Sequence, residues 1–165
     1  MARVLPSNSA MMRKRQSDLH HGGPRIQTEL SLASNVTAIS PFIDKLMLLI
    51  KKCRCATGNE SDIEIALREA LENAVIHGNH EDPQKQVHVS CRCVAEEEVS
   101  ILVKDEGQGF DSNAVPDPTS QGALELSHGR GIYLMRVFMD EVRFEQNGTV
   151  VHMRKKCGNT PPARD

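Results

Sequence analysis

The apolar residues of this chain change their spacing several times between residues 25 and 156, and that order of changes leaves few folds open. RIQTELSL alternates through Ile26, Thr28, Leu30 and Leu32, the period of a half-buried strand. SPFIDKLMLLIKKC then sets Ile43, Leu46, Met47 and Ile50 at helical spacing, with Ser40 as the cap and Pro41 at the first helical position, where its missing N–H does no harm. SDIE begins a second helix with a capping box of Ser61 and Glu64, and Gly78 ends it. VHVSCRC and VSILVKD alternate again, with AEEE as the turn between two antiparallel strands. GIYLMRVFMDEV is helical, and VRFEQNGTVVHMRK reads as a hairpin closed by a type I′ turn at Asn147-Gly148. This succession predicts an α+β fold: a two-layer α/β sandwich whose mixed, mostly antiparallel sheet is covered by helices on one face.

Composition bounds the rest. The 165 residues, 39% of them hydrophobic, suffice for one globular core and not for two. The predicted division is a basic tail over 1–24, a domain over 25–156 and a flexible tail over 157–165. Residues 1–24 carry Arg3, Arg13, Lys14 and Arg15 against Asp18, with few large apolar side chains, as a disordered flank does. No apolar run approaches the roughly 20 residues of a membrane span, and no apolar core of a signal peptide leads the chain, so a cytoplasmic location without membrane contact is expected. A net charge of −2 offers no basic surplus for phosphate backbones, so no direct nucleic-acid binding is expected. The five cysteines, four of them in two CxC pairs, read as reduced thiols.

Three short motifs carry chemistry. LREALENAVIHG puts Glu69 and Asn73 four residues apart on one helical face, with His77 a turn later, opposite a core stripe of Ile63, Leu67, Ala70, Leu71 and Ala74. Such a polar stripe is ordinarily just the wet face of a helix. DEGQGF then ends a strand with Asp105, Gly107 and Gly109: a carboxylate able to accept from an exocyclic amine, and glycines that let backbone come close. HGRGI opens the last helix with Gly129, Arg130 and Gly131, presenting N–H groups and the helix dipole to an anion. The aperiodic stretch from Asp111 to His128 between them is long enough to be a functional lid.

With these motifs in this order, the sequence resembles the GHKL ATP-binding superfamily over about residues 25 to 156. The N-box corresponds to EALENAVIHG, the first glycine box to DEGQGF, the second to GRG and the last to the Gly148-Thr149 pair. Its stand-alone length and GRGIYLMRVFMDEVRF are most similar to the anti-sigma factor serine kinases. That resemblance implies ATP and Mg²⁺ as cofactors, with Asn73 as a metal ligand through its amide oxygen. It implies Asp105 as acceptor of the adenine amine with Thr149 in support, and the glycines of both boxes, with Arg130, around the nucleotide. Glu69 becomes the general base that takes the proton of a protein serine or threonine as phosphate transfers. The implied partners are a sigma factor and, as protein substrate, an anti-sigma factor antagonist, in a homodimer. A module that grips its partner without phosphorylating it, and the catalytic half of a two-component histidine kinase, are the alternative readings.

Several features stay outside that scheme. Arg130 and Arg68 are both candidates for the γ-phosphate. Two CxC pairs could hold zinc through four thiolates, but one-residue spacers and the same-face placement of Cys91 and Cys93 favour buried free cysteines. His20-His21 reads as a solvated pair, and His77 as a packing or capping group.

Overall fold

The computed structural model describes residues 25–109 and 127–158. Five strands, β1 (Arg25–Ala33), β2 (Gln86–Val94), β3 (Glu98–Lys104), β4 (Glu141–Glu145) and β5 (Val150–Lys156), form one sheet in the order β1-β2-β3-β5-β4. Every pairing among them is antiparallel, so the mixed character expected from sequence is absent from the described sheet. Three helices, α1 (Ile39–Cys53), α2 (Glu60–Glu72) and α3 (Ser127–Phe138), supply the second layer. The lid expected over 111–128 falls mostly outside the described residues, as do the tails over 1–24 and 159–165.

Alternation decides which face of the sheet is covered. Val87, Val89, Cys91 and Cys93 of β2, Val99, Ile101 and Val103 of β3, and Val151 and Met153 of β5 all point inward and are buried. Against them α1 packs Ile43, Leu46, Met47 and Ile50, and α2 packs Ile63, Leu67 and Leu71. Fully burying side chains of this size contributes about 1.5–3 kcal/mol each. The opposite face carries Ser90, Arg92, Ser100, His152 and Arg154, with Arg154 bridging Glu98 at 3.3 Å and Glu141 at 2.7 Å. No helix among the described residues is long and apolar enough to cross a membrane.

The helix starts differ from the sequence reading. Asn35, not Ser40, caps the first helical segment: its Oδ1 accepts from Thr37 N at 2.9 Å, in a short 3₁₀ turn that runs into α1. Ser40 lies inside α1, where its Oγ accepts from Arg68 Nη1 at 3.1 Å. The second helix starts at Glu60 after Asn59, so Ser61 sits within it and no capping box forms. Asn59 turns elsewhere, donating to the Lys156 carbonyl at 2.9 Å. The closing hairpin has a four-residue loop, 146–149, in which Gln146, Asn147 and Gly148 all take positive φ. Two overlapping turns, Gly148 N to Glu145 O and Thr149 N to Gln146 O, replace the expected single turn at Asn147-Gly148.

The CxC pairs meet at one end of the sheet. Cys53, Cys55, Cys91 and Cys93 are buried and unoxidised; Cys91 and Cys93 Sγ lie 4.0 Å apart, and the Cys55 thiol donates to Ile50 O at 3.7 Å. The neighbouring Cys93 thiol and burial push the Cys55 thiol far above its ordinary pKa, the behaviour of a packing group. No group of three His, Cys, Asp or Glu side chains among the described residues is placed to hold a metal ion. Cys157, assigned to the C-terminal tail from sequence, is tied in by its N–H to Glu97 O at 2.7 Å.

Candidate functional site

The last turn of the second helical segment is where the polar stripe acquires a shape. α2 is regular to Glu72, and residues Asn73–Gly78 then widen into a π-helical turn closed by Asn79 N to Ala74 O at 2.8 Å. Single π turns cost hydrogen-bond quality and recur at functional sites. Here the widened turn runs along a pocket of about 100 Å³ whose lining includes Asn73, Gly78, Asp105, Ile132, Met135 and Thr149. The sequence motifs therefore converge: the helix supplies Asn73, the end of β3 supplies Asp105, α3 supplies the apolar wall, and the hairpin supplies Thr149.

Asp105 is only 8% exposed. Burial pushes its carboxyl above the usual aspartate range, although its Oδ1 accepts the Gly107 N–H at 2.8 Å. Its backbone N–H donates to Thr149 O at 3.0 Å, which joins the first glycine box to the hairpin. The Thr149 hydroxyl donates to Gln146 O at 2.9 Å, inside its own turn. Gly107 is required by close approach, because a Cβ there would lie 2.1 Å from Gly78 O. Gly109 combines φ +81° with the Asn147 carbonyl 2.1 Å from where its Cβ would be. These glycines serve contacts between protein backbones as well as openness toward a ligand.

Glu69, one helical turn before Asn73, lies against α3 and is not among the pocket-lining residues. A Cβ on Gly131 would come within 2.8 Å of Glu69 Oε2 and 3.3–3.5 Å of the Asn73 amide, so a glycine there leaves a cradle holding both groups. The helix starts at Ser127, two residues before Gly129. Gly131 is thus inside the helix, and its part is close packing against α2 rather than an end-of-helix N–H; Gly129 lies in the first turn. Partial burial and the neighbouring Glu72 raise the Glu69 carboxyl above its ordinary pKa, against the pull of Arg130 and Arg68. Arg130 is exposed on α3, while Arg68 reaches across to Ser40 on α1. His77 lines the pocket wall.

The donor set is small for a metal ion. Asn73 offers one hard amide oxygen beside a carboxylate, in a cradle that a side chain at 131 would fill. One oxygen is too little to hold Mg²⁺ alone and suits an ion that keeps waters and takes its remaining ligands from phosphates. The residues fit that group. Gly78 and Asn79 pack against the Asp105 turn; sequence reasoning read Gly78 only as the last residue of the N-box and the end of its helix, and missed Asn79, which follows the motif.

Known proteins resemble this chain over most of its length. A family model described as histidine kinase-like ATPase domain matches residues 32–155. The anti-sigma F factor of Oceanobacillus iheyensis is 31% identical over 137 residues, covering 79% of this chain and 83% of that protein. That of Heyndrickxia coagulans is 32% identical over 130 residues, 75% and 78% of the two chains. That of Clostridium perfringens strain SM101 is 41% identical over 125 residues, 72% and 83%.

Proposed function

Because the chain belongs to the histidine kinase-like ATPase domain family, we propose that it is an ATP-dependent anti-sigma factor that phosphorylates a serine or threonine of an anti-sigma factor antagonist. The observation that carries this is the cradle at Gly131, which brings Glu69 beside Asn73, a residue that lines the same pocket as buried Asp105. A pocket built this way reads a base beside Asp105 and handles phosphates beside Asn73. The similarity to anti-sigma F factors supports a sigma factor as the sequestered partner. A cytoplasmic homodimer is part of the same proposal.

Bound ATP with Mg²⁺ supplies the transferable phosphoryl group and the positive charge that offsets its oxygens. Asp105 accepts from the adenine amine, and Thr149 steadies that end of the pocket through its carbonyl on the Asp105 N–H. Asn73 would hold the metal through its amide oxygen. The first turn of α3, with Gly129 and Arg130, faces negative charge with N–H groups and a cation. Glu69 takes the hydroxyl proton of the protein substrate. Its raised pKa, caused first by burial, brings it closer to the pH at which a general base works best.

Glu69→Gln tests the kinase reading, since the amide keeps size and hydrogen bonding and cannot accept the proton. With labelled ATP and candidate antagonists, nucleotide should bind as before while transfer slows by roughly 10²- to 10⁴-fold. A parent protein that holds a sigma factor, transfers no phosphate to any antagonist and is indifferent to Glu69→Gln would leave a binding module in place of a kinase.

A further inference from the structure

Asn79 is fully buried, and three of its four hydrogen bonds join three parts of the chain. Its N–H closes the π turn on Ala74 O at 2.8 Å, its Nδ2 donates to Gln86 O at 3.0 Å where β2 begins, and its Oδ1 accepts from Glu106 N at 2.8 Å. Glu106 is the neighbour of Asp105. The preceding residue completes the joint: a Cβ on Gly78 would lie 2.5 Å from Asp105 Cγ, and one on Gly107 would lie 2.1 Å from Gly78 O. Residues 78–79 and 105–107 thus interlock, with the Asp105 carboxylate seated against the Gly78 backbone. Asn79 itself lines no part of the pocket.

We propose that Asn79 is a positioning residue for base recognition, acting through the Glu106 amide to fix the direction of the Asp105 carboxylate; this rests on the reading of Asp105 as the acceptor of the adenine amine. A hydrogen bond discriminates between bases only when the acceptor cannot turn to suit a different edge. The Asp105 side chain has one such restraint of its own, Oδ1 accepting from Gly107 N at 2.8 Å, but that bond closes within the same two-glycine turn and holds direction only if the turn is anchored from outside. A second tie exists: Glu106 Oε2 accepts from Gln86 N at 3.1 Å and Oε1 meets His88 Nε2 at 3.0 Å. Those contacts are solvent-exposed and hold a side chain that can rotate, whereas the Asn79 bond is made to the backbone and comes from a fully buried side chain.

The test is calorimetric binding of ATP and of inosine triphosphate, which carries a carbonyl where adenine has its amine, to the full chain, to Asn79→Ala and to Asn79→Ser. The parent should prefer ATP. In the variants ATP affinity should fall by about tenfold, the scale of one lost buried hydrogen bond, while inosine triphosphate affinity stays within about twofold, so that the preference collapses. Equal weakening toward both nucleotides, or an unchanged preference, overturns the proposal and leaves Asn79 a structural group. Should the alanine variant fail to fold, the serine variant, whose hydroxyl can still be satisfied but falls short of the Glu106 amide, reads the same ratio. A parent that binds both nucleotides equally removes the reading of Asp105, and the proposal with it, which separates the two failures.

Discussion

Asp105 is asked to be charged in a place that disfavours charge. Burial raises its pKa in the folded chain, so the unfolded chain ionises first as pH rises. The contribution of this group to stability is therefore full below the ordinary aspartate pKa of about 3.9 and is lost as pH climbs through the raised folded value. Asp105→Asn, which can still accept the Gly107 N–H, should melt higher than the parent at pH 7, and the difference should vanish near pH 3 in thermal scans. Asp105→Ala should weaken ATP binding by roughly 10- to 150-fold, the loss expected for a hydrogen bond to a charged acceptor. The two variants together separate recognition from stability. A melting temperature for Asp105→Asn below the parent's at neutral pH would count against a desolvated carboxylate. Asp105 as a candidate was legible in the sequence, from its place between a strand and two glycines. Its burial was not, because that depends on the hairpin and on Gly78 closing over it.

At the scale of elements, the junction between α2 and α3 decides whether Glu69 and Asn73 are usable. Gly131→Ala would push a Cβ to 2.8 Å from Glu69 Oε2, an atom at the end of a flexible side chain that can move away. The fold should survive with a melting temperature within a few degrees of the parent, since the strain relieves itself without backbone movement. Phosphate transfer should fall far more than ATP affinity, because the displaced group is the proposed base. A variant with parental transfer rates would show that Glu69 needs no fixed position. Gly78→Ala offers the contrast: the contact there is with Asp105, seated in a packed turn, and overpacking of that kind costs typically about 1–3 kcal/mol. Its melting temperature should drop and ATP binding should weaken together. Both helices were readable from their 3.6-residue period. The π turn at Asn73–Gly78 was not, since no propensity marks it; it follows from the bonds that Asn79 makes outside the helix.

For the molecule as a whole, the pocket lies between layers, and any ligand that fills it ties sheet to helices. Anything that binds only the folded state stabilises it by RT ln(1 + [L]/Kd), about 2.7 kcal/mol at a hundredfold excess over Kd. In a chain of this size that corresponds to a rise in melting temperature of roughly 5–10 °C. ATP with Mg²⁺ should produce it, ATP with a chelator should produce less, and Asn73→Ala should erase the difference between the two. A shift independent of Mg²⁺ in the parent would remove Asn73 from the metal.

What the sequence determined by itself was the order of elements, the inward face of each strand and the core stripe of each helix, because the hydrophobic effect acts on periodicity, and periodicity is written locally. The N-box and both glycine boxes were legible for the same reason, as short runs whose residue types declare their chemistry. Tertiary structure alone decided which caps were used, with Asn35 and not Ser40 at the first helix, because a cap depends on where neighbouring chain lies. It also brought the two CxC pairs together as buried thiols, and made Gly131 a packing glycine rather than an end-of-helix donor. Asn79 belongs to the same class. Three of its four partners are 5, 7 and 27 residues away, and a hydrogen bond's value comes from burial and geometry that no local window of sequence contains.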